Sequence, residues 1–131
     1  MLSHLSLGTA DLARAIRFYD AVLGALGYVR LWTTGERAAG YGVPGGNDRL
    51  ALFAAQGPVA PPGPGFHLAF TALHRDAVDR FHAEGLRHGG VDLGEPGFRP
   101  HYGPSYYAAF LRDPDGWKLE AVCQQAEQTS G

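Results

Sequence analysis

Two histidines and one glutamate stand at matching places in three strand-like segments. His4 begins the segment 4–8, His67 lies in the segment 66–72, and Glu120 lies in the segment 118–124. Because side chains along a strand alternate between two faces, each of the three lies on the face opposite a row of apolar residues. If those faces come together, two imidazoles and a carboxylate suit a divalent metal that keeps open positions for water or substrate. The alternation therefore predicts a metal site at His4, His67 and Glu120.

A second group of reactive side chains precedes the penultimate strand-like segment, 106–111. Residues 99–107 have the sequence RPHYGPSYY, which gathers aromatic rings and hydrogen-bonding groups in one loop. Imidazole and phenol groups can donate or accept a proton in catalysis. We predict that four of these residues contact substrate as catalytic residues, namely His101, Tyr102, Tyr106 and Tyr107. The alternative is that their rings only order the loop by packing on the sheet.

An internal repeat sets the positions of the two histidines. The ungapped matches include His4 with His67, Leu5 with Leu68, Phe18 with Phe81, and Gly27 with Gly90. After an insertion, residues 49–53 align with residues 118–122. Self-similarity of this kind indicates two related structural units.

Each unit has the same predicted order of elements. A short strand is followed by a helix, because apolar residues recur at a spacing of three to four between Leu12 and Leu26 and again between Val78 and Leu86. Three further strands follow each helix, at 28–34, 38–43 and 50–54 in the first unit and at 91–93, 106–111 and 118–124 in the second. We therefore predict an α+β fold of two βαβββ modules, with a curled mixed sheet around a concave site and the helices on its outer face.

The boundaries of the modules follow from composition. Residues 57–65, GPVAPPGPG, are barred from helix and central strand by proline and glycine, so they are predicted to connect the modules. Module one is then residues 1–56 and module two residues 66–126, with a tail at 127–131. We predict that the whole chain, 1–131, is a single domain, because 131 residues with 45% hydrophobic content suit one core.

Charge and cysteine content exclude several classes of function. A net charge of −2 provides no basic field for nucleic acid or an anionic membrane surface. No apolar run approaches the ~18 residues of a membrane span, and the first residues lack a basic leader. The single cysteine, Cys123, falls on an apolar face and is expected to be a small buried residue. These features predict a cytoplasmic protein with no nucleic-acid or membrane partner.

The ordered motifs resemble the vicinal oxygen chelate superfamily, the group of glyoxalase I, fosfomycin-resistance thiol transferases, extradiol dioxygenases and bleomycin-resistance proteins. The resemblance covers residues 2–124 and rests on HLSL at 4–7, DL at 11–12, FY at 18–19, LG at 23–24, HLAF at 67–70 and DPDGWKLE at 113–120. It implies metal ligands on the first strand of each module and on the last strand, which are the positions of His4, His67 and Glu120. It also implies a divalent metal (Zn, Mn, Fe or Ni) that acts as a Lewis acid on vicinal oxygens of a small-molecule substrate.

The departures from the family pattern leave two functions open. Glyoxalase I has a fourth, carboxylate ligand where this chain has Ala51 or Leu52, and the fosfomycin enzymes have a basic residue after the final strand where residues 124–129 contain none. The first hypothesis is a metal-dependent enzyme of the glyoxalase and dioxygenase family. The alternative is a metal-free protein that binds or sequesters a ligand, as bleomycin-resistance proteins do. A homodimer is expected in either case, with module pairing within one chain or swapped between two.

Overall fold

Two modules with the same order of elements make up the fold, as the repeat predicts. The computed structural model describes residues 1–126, and the predicted tail 127–131 lies outside the described residues. Module one contains β1 (Leu5–Thr9), α1 (Leu12–Ala25), β2 (Val29–Thr34), β3 (Ala38–Gly42) and β4 (Leu50–Ala54). Module two contains β5 (Leu68–Thr71), α2 (Arg75–Arg87), β6 (Val91–Phe98), β7 (Tyr107–Arg112) and β8 (Lys118–Cys123). The α+β class and the two βαβββ modules are confirmed.

Each module forms its own four-stranded mixed sheet. The strand order is β1-β4-β3-β2 in the first sheet and β5-β8-β7-β6 in the second. The first and last strands of each module pair in parallel, which places Ser6 opposite Ala51 and Ala69 opposite Glu120. The remaining neighbours are antiparallel. Positions of the first and last strands that are distant in sequence thus become direct neighbours.

The two helices cover one face of the sheets and pack against each other. Helix α1 begins at the N-cap Asp11, whose carboxylate accepts a hydrogen bond from the Arg14 amide. Its buried stripe includes Phe18 and Val22, each 0% exposed, and the matching stripe of α2 includes Phe81, also 0% exposed. These side chains and the leucines of the sheets form one core across both modules. Neither helix of the described residues is long and apolar enough to span a membrane.

Strand β6 is longer than the sequence predicts. The predicted segment 91–93 continues to Phe98 through Gly94 and Pro96, and the pairing with β7 shifts register on both sides of Gly94. Strand β6 lies at the edge of the sheet and pairs with a neighbour on one side only. A proline or a bulge in this strand therefore removes few inter-strand hydrogen bonds.

The DPDG turn at residues 113–116 joins the two modules. The Tyr19 hydroxyl of α1 donates to Asp113 Oδ2 over 2.5 Å, and Asp115 Oδ1 accepts from the Ala10 amide (2.9 Å) and from Arg14 Nη2 (3.0 Å). The Trp117 indole donates to the Gly8 carbonyl over 2.9 Å. The turn between β7 and β8 therefore also holds module two against the start of α1.

Candidate functional site

His67 and Glu120 meet on the face of the second sheet that is turned away from the helices. His67 immediately precedes β5 and Glu120 lies on the neighbouring strand β8, so the parallel pairing of the two strands brings their side chains together. His67 Nε2 and Glu120 Oε1 are 2.8 Å apart. Glu120 is only 1% exposed, whereas the His67 side chain is 43% exposed. A buried carboxylate therefore has an accessible imidazole as its neighbour.

Tyr106 occupies the other oxygen of the same carboxylate. Its hydroxyl donates to Glu120 Oε2. Burial, and then the hydrogen bond to Glu120 and its charge, raise the pKa of the Tyr106 phenol above its usual value. Tyr106 therefore stays protonated at neutral pH and can act as a hydrogen-bond donor but not as a base.

The ring of Phe110 forms the floor beside this cluster. Phe110 lies directly opposite Glu120 in the β7–β8 ladder, and its ring centroid is 6.2 Å from that of His67. Two cations lie against the same ring: the Arg99 guanidinium carbon at 5.6 Å and Lys118 Nζ at 5.7 Å from its centroid. The sequence analysis did not select Phe110, Arg99 or Lys118, although alternation along β8 places Lys118 on the same face as Glu120.

The loop before β7 contributes three of its four predicted residues to this side of the sheet. The ring centroids of His101 and Tyr102 are 4.0 Å apart, and those of Tyr102 and Tyr106 are 5.2 Å apart, so the three rings form a row that ends at Glu120. Tyr107 does not join the row, and its contact with substrate stays a prediction. Its hydroxyl donates to Asp79 of α2 over 2.6 Å, because successive residues of a strand point to opposite faces.

His4 lies apart from the other two predicted ligands. It is exposed, it immediately precedes β1 of module one, and its Nδ1 is 2.9 Å from the Ser3 hydroxyl. Within residues 1–126 of one chain, no three side chains of histidine, cysteine, aspartate or glutamate are grouped closely enough to hold a metal ion. One chain thus brings together two of the three predicted ligands, and the complete set remains a prediction.

Module one has an open sheet face that corresponds to the one bearing Glu120. Ser6 pairs with Ala51 as Ala69 pairs with Glu120, so Ala51, and not Leu52, holds the place of a fourth ligand. Leu52 is buried in the core on the helix side. The ring of Trp32 covers Gly40 so closely that a Cβ there would lie 2.2 Å from the indole nitrogen. The face consists mainly of small residues under an indole ring and offers no metal-ligating side chain at Ala51.

The donor atoms of His67 and Glu120 fit a shared metal ion. Ligand atoms at right angles around a metal at about 2.1 Å lie about 3 Å apart, which is close to the spacing between His67 Nε2 and Glu120 Oε1. With its proton on Nδ1, the His67 ring offers the Nε2 lone pair towards the same point. A third protein ligand has to come from beyond this pair.

Paired βαβββ modules, with a polar cluster on the open face of parallel first and last strands, define the class of this protein. The chain belongs to the Glyoxalase/Bleomycin resistance protein/Dioxygenase superfamily, which it matches over residues 1–121. Members of this superfamily bind small-molecule substrates, and divalent metals are common among them. No curated protein matches the chain.

Solved structures with the same fold support this assignment. The chain is 36% identical to a glyoxalase/bleomycin resistance protein from Albidiferax ferrireducens, with a TM-score of 0.80 over 94% of this chain and 98% of that one. A glyoxalase-related enzyme from Fulvimarina pelagi is 23% identical, with a TM-score of 0.72 over 94% and 87% of the two chains. The fosfomycin resistance protein FosX from Mesorhizobium loti shares the fold at 18% identity, with a TM-score of 0.67 over 94% and 91%.

Proposed function

We propose that the protein is a metal-dependent enzyme that acts on a small substrate through two vicinal oxygens. The observation that carries the proposal is the placement of His67 Nε2 and Glu120 Oε1, 2.8 Å apart on an open sheet face. The metal would supply a Lewis acid that stabilises negative charge on the substrate oxygens. His67 and Glu120 would hold it, and Tyr106 would keep the Glu120 carboxylate oriented through its hydroxyl.

We propose that the third ligand is His4 of a second copy of the chain. His4 and His67 occupy equivalent positions in their modules, and both precede strands whose open faces carry exposed residues, Ser6 on β1 and Ala69 on β5. The open face of module one has the small side chains that a substrate or a facing sheet requires. A two-fold dimer that lays module one of one chain over module two of the other would complete two identical sites.

Tyr106 has a second role in this proposal. A phenol whose single proton is donated to Glu120 can still accept a hydrogen bond from a hydroxyl of the bound substrate. The exposed rings of His101 and Tyr102 extend from Tyr106 towards solvent and can contact the rest of the substrate. Tyr106 would therefore orient one end of the substrate, and the rings of His101 and Tyr102 would contact the other end.

One observation favours the alternative of a metal-free ligand-binding protein. Glu120 already has a hydrogen-bonding partner at each oxygen, so the carboxylate is satisfied without a metal. The row of rings at His101, Tyr102 and Tyr106 could then bind an aromatic ligand by stacking.

Metal analysis of the protein purified without an affinity tag separates the two functions. We expect the purified protein to hold about one divalent ion per chain. His67→Ala and Glu120→Gln should each abolish metal binding. His74→Ala is the matched control, since His74 is exposed at the start of α2 and its side chain makes no capping hydrogen bond. Retention of the metal by His67→Ala would exclude the proposed site.

Titration with acetohydroxamate adds a second discriminating measurement. Its two vicinal oxygens should bind to the metal-loaded protein at least tenfold more tightly than to the chelator-stripped protein. Equal affinity in the two forms would favour the metal-free alternative.

A further inference from the structure

Three cationic side chains lie on or against the sheet face that bears Glu120. Arg112 and Lys118 are direct cross-strand partners in the β7–β8 ladder, next to the pair formed by Phe110 and Glu120 along the same strands. Arg99 reaches the face from the loop and lies against the Phe110 ring, as Lys118 does. A basic cluster therefore surrounds Phe110 in a chain whose net charge is −2.

These cations have no acidic partner in the part of the chain that the structure describes. The Arg99 guanidinium donates to the Glu95 carbonyl over 2.8 Å, and Arg112 donates to the Gly116 carbonyl over 2.9 Å. Glu120 is an acidic residue on this face, but His67 and Tyr106 occupy its oxygens. Like charges placed opposite each other on a sheet are destabilising, so the Arg112–Lys118 pair lowers stability unless an anion lies between or beside them.

We infer that the substrate carries an anionic oxygen group, a carboxylate or a phosphonate, that binds to Lys118 and Arg99 beside Phe110. This inference rests on the proposed function, because it places the vicinal oxygens at His67 and Glu120 and the anionic group on the adjoining side of the same ring. Lys118 is half-buried, so an ion pair there is less screened than one on the open surface. The planar Arg99 guanidinium can bind a carboxylate or phosphonate through two parallel hydrogen bonds.

The space next to Lys118 is large enough for such a group. A cavity of about 270 Å³ is lined by residues 62–65 of the connector and by Phe66, Arg112 and Lys118. Its wall therefore combines two cationic side chains with the proline- and glycine-rich connector and one aromatic ring. The cavity therefore offers room for an anionic group at Lys118.

A matched pair of ligands tests the inference. Both 3,4-dihydroxybenzoate and 3,4-dihydroxybenzamide carry the same vicinal oxygens, but only the first is an anion. Isothermal titration calorimetry should show that the acid binds about tenfold more tightly than the amide to the parent protein, with a preference that weakens as salt is added. The analogue 3,4-dihydroxyphenylphosphonate distinguishes the two anionic groups: tighter binding than the carboxylate indicates a phosphonate or phosphate substrate.

Variants locate the preference on the protein. The affinity for the acid divided by the affinity for the amide should fall several-fold in Lys118→Gln and in Arg99→Gln. In the double variant this ratio should approach one. Arg37→Gln is the matched control, because Arg37 is an exposed cation between β2 and β3 of module one. An unchanged ratio in the double variant, or equal affinity of acid and amide in the parent, overturns the inference.

The same titrations on chelator-stripped protein separate this inference from the proposed metal site. The cations belong to the chain itself, so the preference for the acid should persist without metal, although both ligands bind more weakly. If both ligands bind equally well with and without metal but the acid still binds more tightly than the amide, the metal site alone is rejected. A strong metal effect without a preference for the acid would reject the anion site alone.

Discussion

At the scale of single residues, Glu120 determines what the site can do. A carboxylate that is 1% exposed is costly unless its oxygens are paired, and here His67 and Tyr106 each occupy one oxygen. In the proposed metal site, His67 would exchange its hydrogen bond for a bond to the metal without moving far, because hydrogen-bonded and metal-bound donor atoms have similar spacings. Tyr106 remains a donor in both situations, since the raised pKa of its phenol keeps the proton in place.

The hydroxyl of Tyr106 should contribute measurably to stability. In Tyr106→Phe, the buried Glu120 carboxylate loses a partner at one oxygen, and we expect the free energy of unfolding to fall by about 1–3 kcal/mol. Chemical denaturation measures the change. The control Tyr102→Phe removes the hydroxyl of a ring that is 63% exposed, and it should change the value by less than about 0.5 kcal/mol. Equal losses in the two variants would show that the hydrogen bond to Glu120 adds nothing.

At the scale of elements, the turn between β7 and β8 does more than reverse the chain. Asp113 is 3% exposed and accepts hydrogen bonds from the Tyr19 hydroxyl and from the amides of residues 115 and 117. Burial nevertheless raises the pKa of the Asp113 carboxyl, outweighing the hydrogen bonds from Tyr19 and the amides, and the nearby charge of Asp115 adds to the increase. The turn that holds module two to α1 therefore contains a carboxyl group that binds its proton more tightly in the folded chain.

This raised pKa predicts a pH-dependent difference between the parent and Asp113→Asn. The folded state retains the Asp113 proton to a higher pH than the unfolded state, so the stability that this residue contributes is complete below the ordinary pKa of ~3.9 and is lost as the pH rises through the folded pKa. The asparagine stays neutral. We therefore expect Asp113→Asn to gain stability relative to the parent as the pH rises above ~4. Between the ordinary pKa of Asp113 and its folded pKa, the gain is up to about 1.4 kcal/mol per pH unit.

Denaturation of both proteins at a series of pH values measures the difference between their free energies of unfolding. Groups that titrate in the same way in both proteins do not contribute to this difference. A constant difference for Asp113→Asn would mean that the pKa of Asp113 is not raised by folding.

At the scale of the whole molecule, the packing of the two helices determines where the sheet faces point. Helices α1 and α2 lie against each other and share one core, and the DPDG turn reinforces the same contact. The opposite faces of both sheets consequently remain open, with His4 on one module and the His67–Glu120 pair on the other. The proposed dimer would close these faces against each other and join the three predicted ligands.

Mixing two defective variants tests this arrangement. In a dimer that shares its sites, His4→Ala and His67→Ala each lack every complete site as homodimers, but each mixed dimer regains one. Co-refolding equal amounts should therefore restore metal binding to about a quarter of the parent value. The control mixture of His67→Ala with Glu120→Gln should restore none, since both residues belong to module two. Absence of recovery in the first mixture, or a monomer at micromolar concentration in sedimentation, would reject the shared site.

The amino-acid sequence by itself determined the features that depend on local periodicity. Alternation along the strands placed His67 and Glu120 on the face away from the core, and the internal repeat predicted both βαβββ modules. These predictions succeed because side-chain direction in a strand and the apolar stripe of a helix are set by neighbouring residues. Alternation also implies that Tyr106 and Tyr107 cannot share a face, so the position of Tyr107 was available from the same rule.

Only the tertiary structure decided how the modules are joined and which groups surround the carboxylate. The contacts of Asp113 and Asp115 with α1 link residues about a hundred positions apart, and no periodic signal encodes such pairs. The extension of β6 through Pro96 depends on its place at the sheet edge. The separation of His4 from His67 was also beyond the sequence, because the equivalence of two positions in a repeat does not specify the orientation of one module relative to the other.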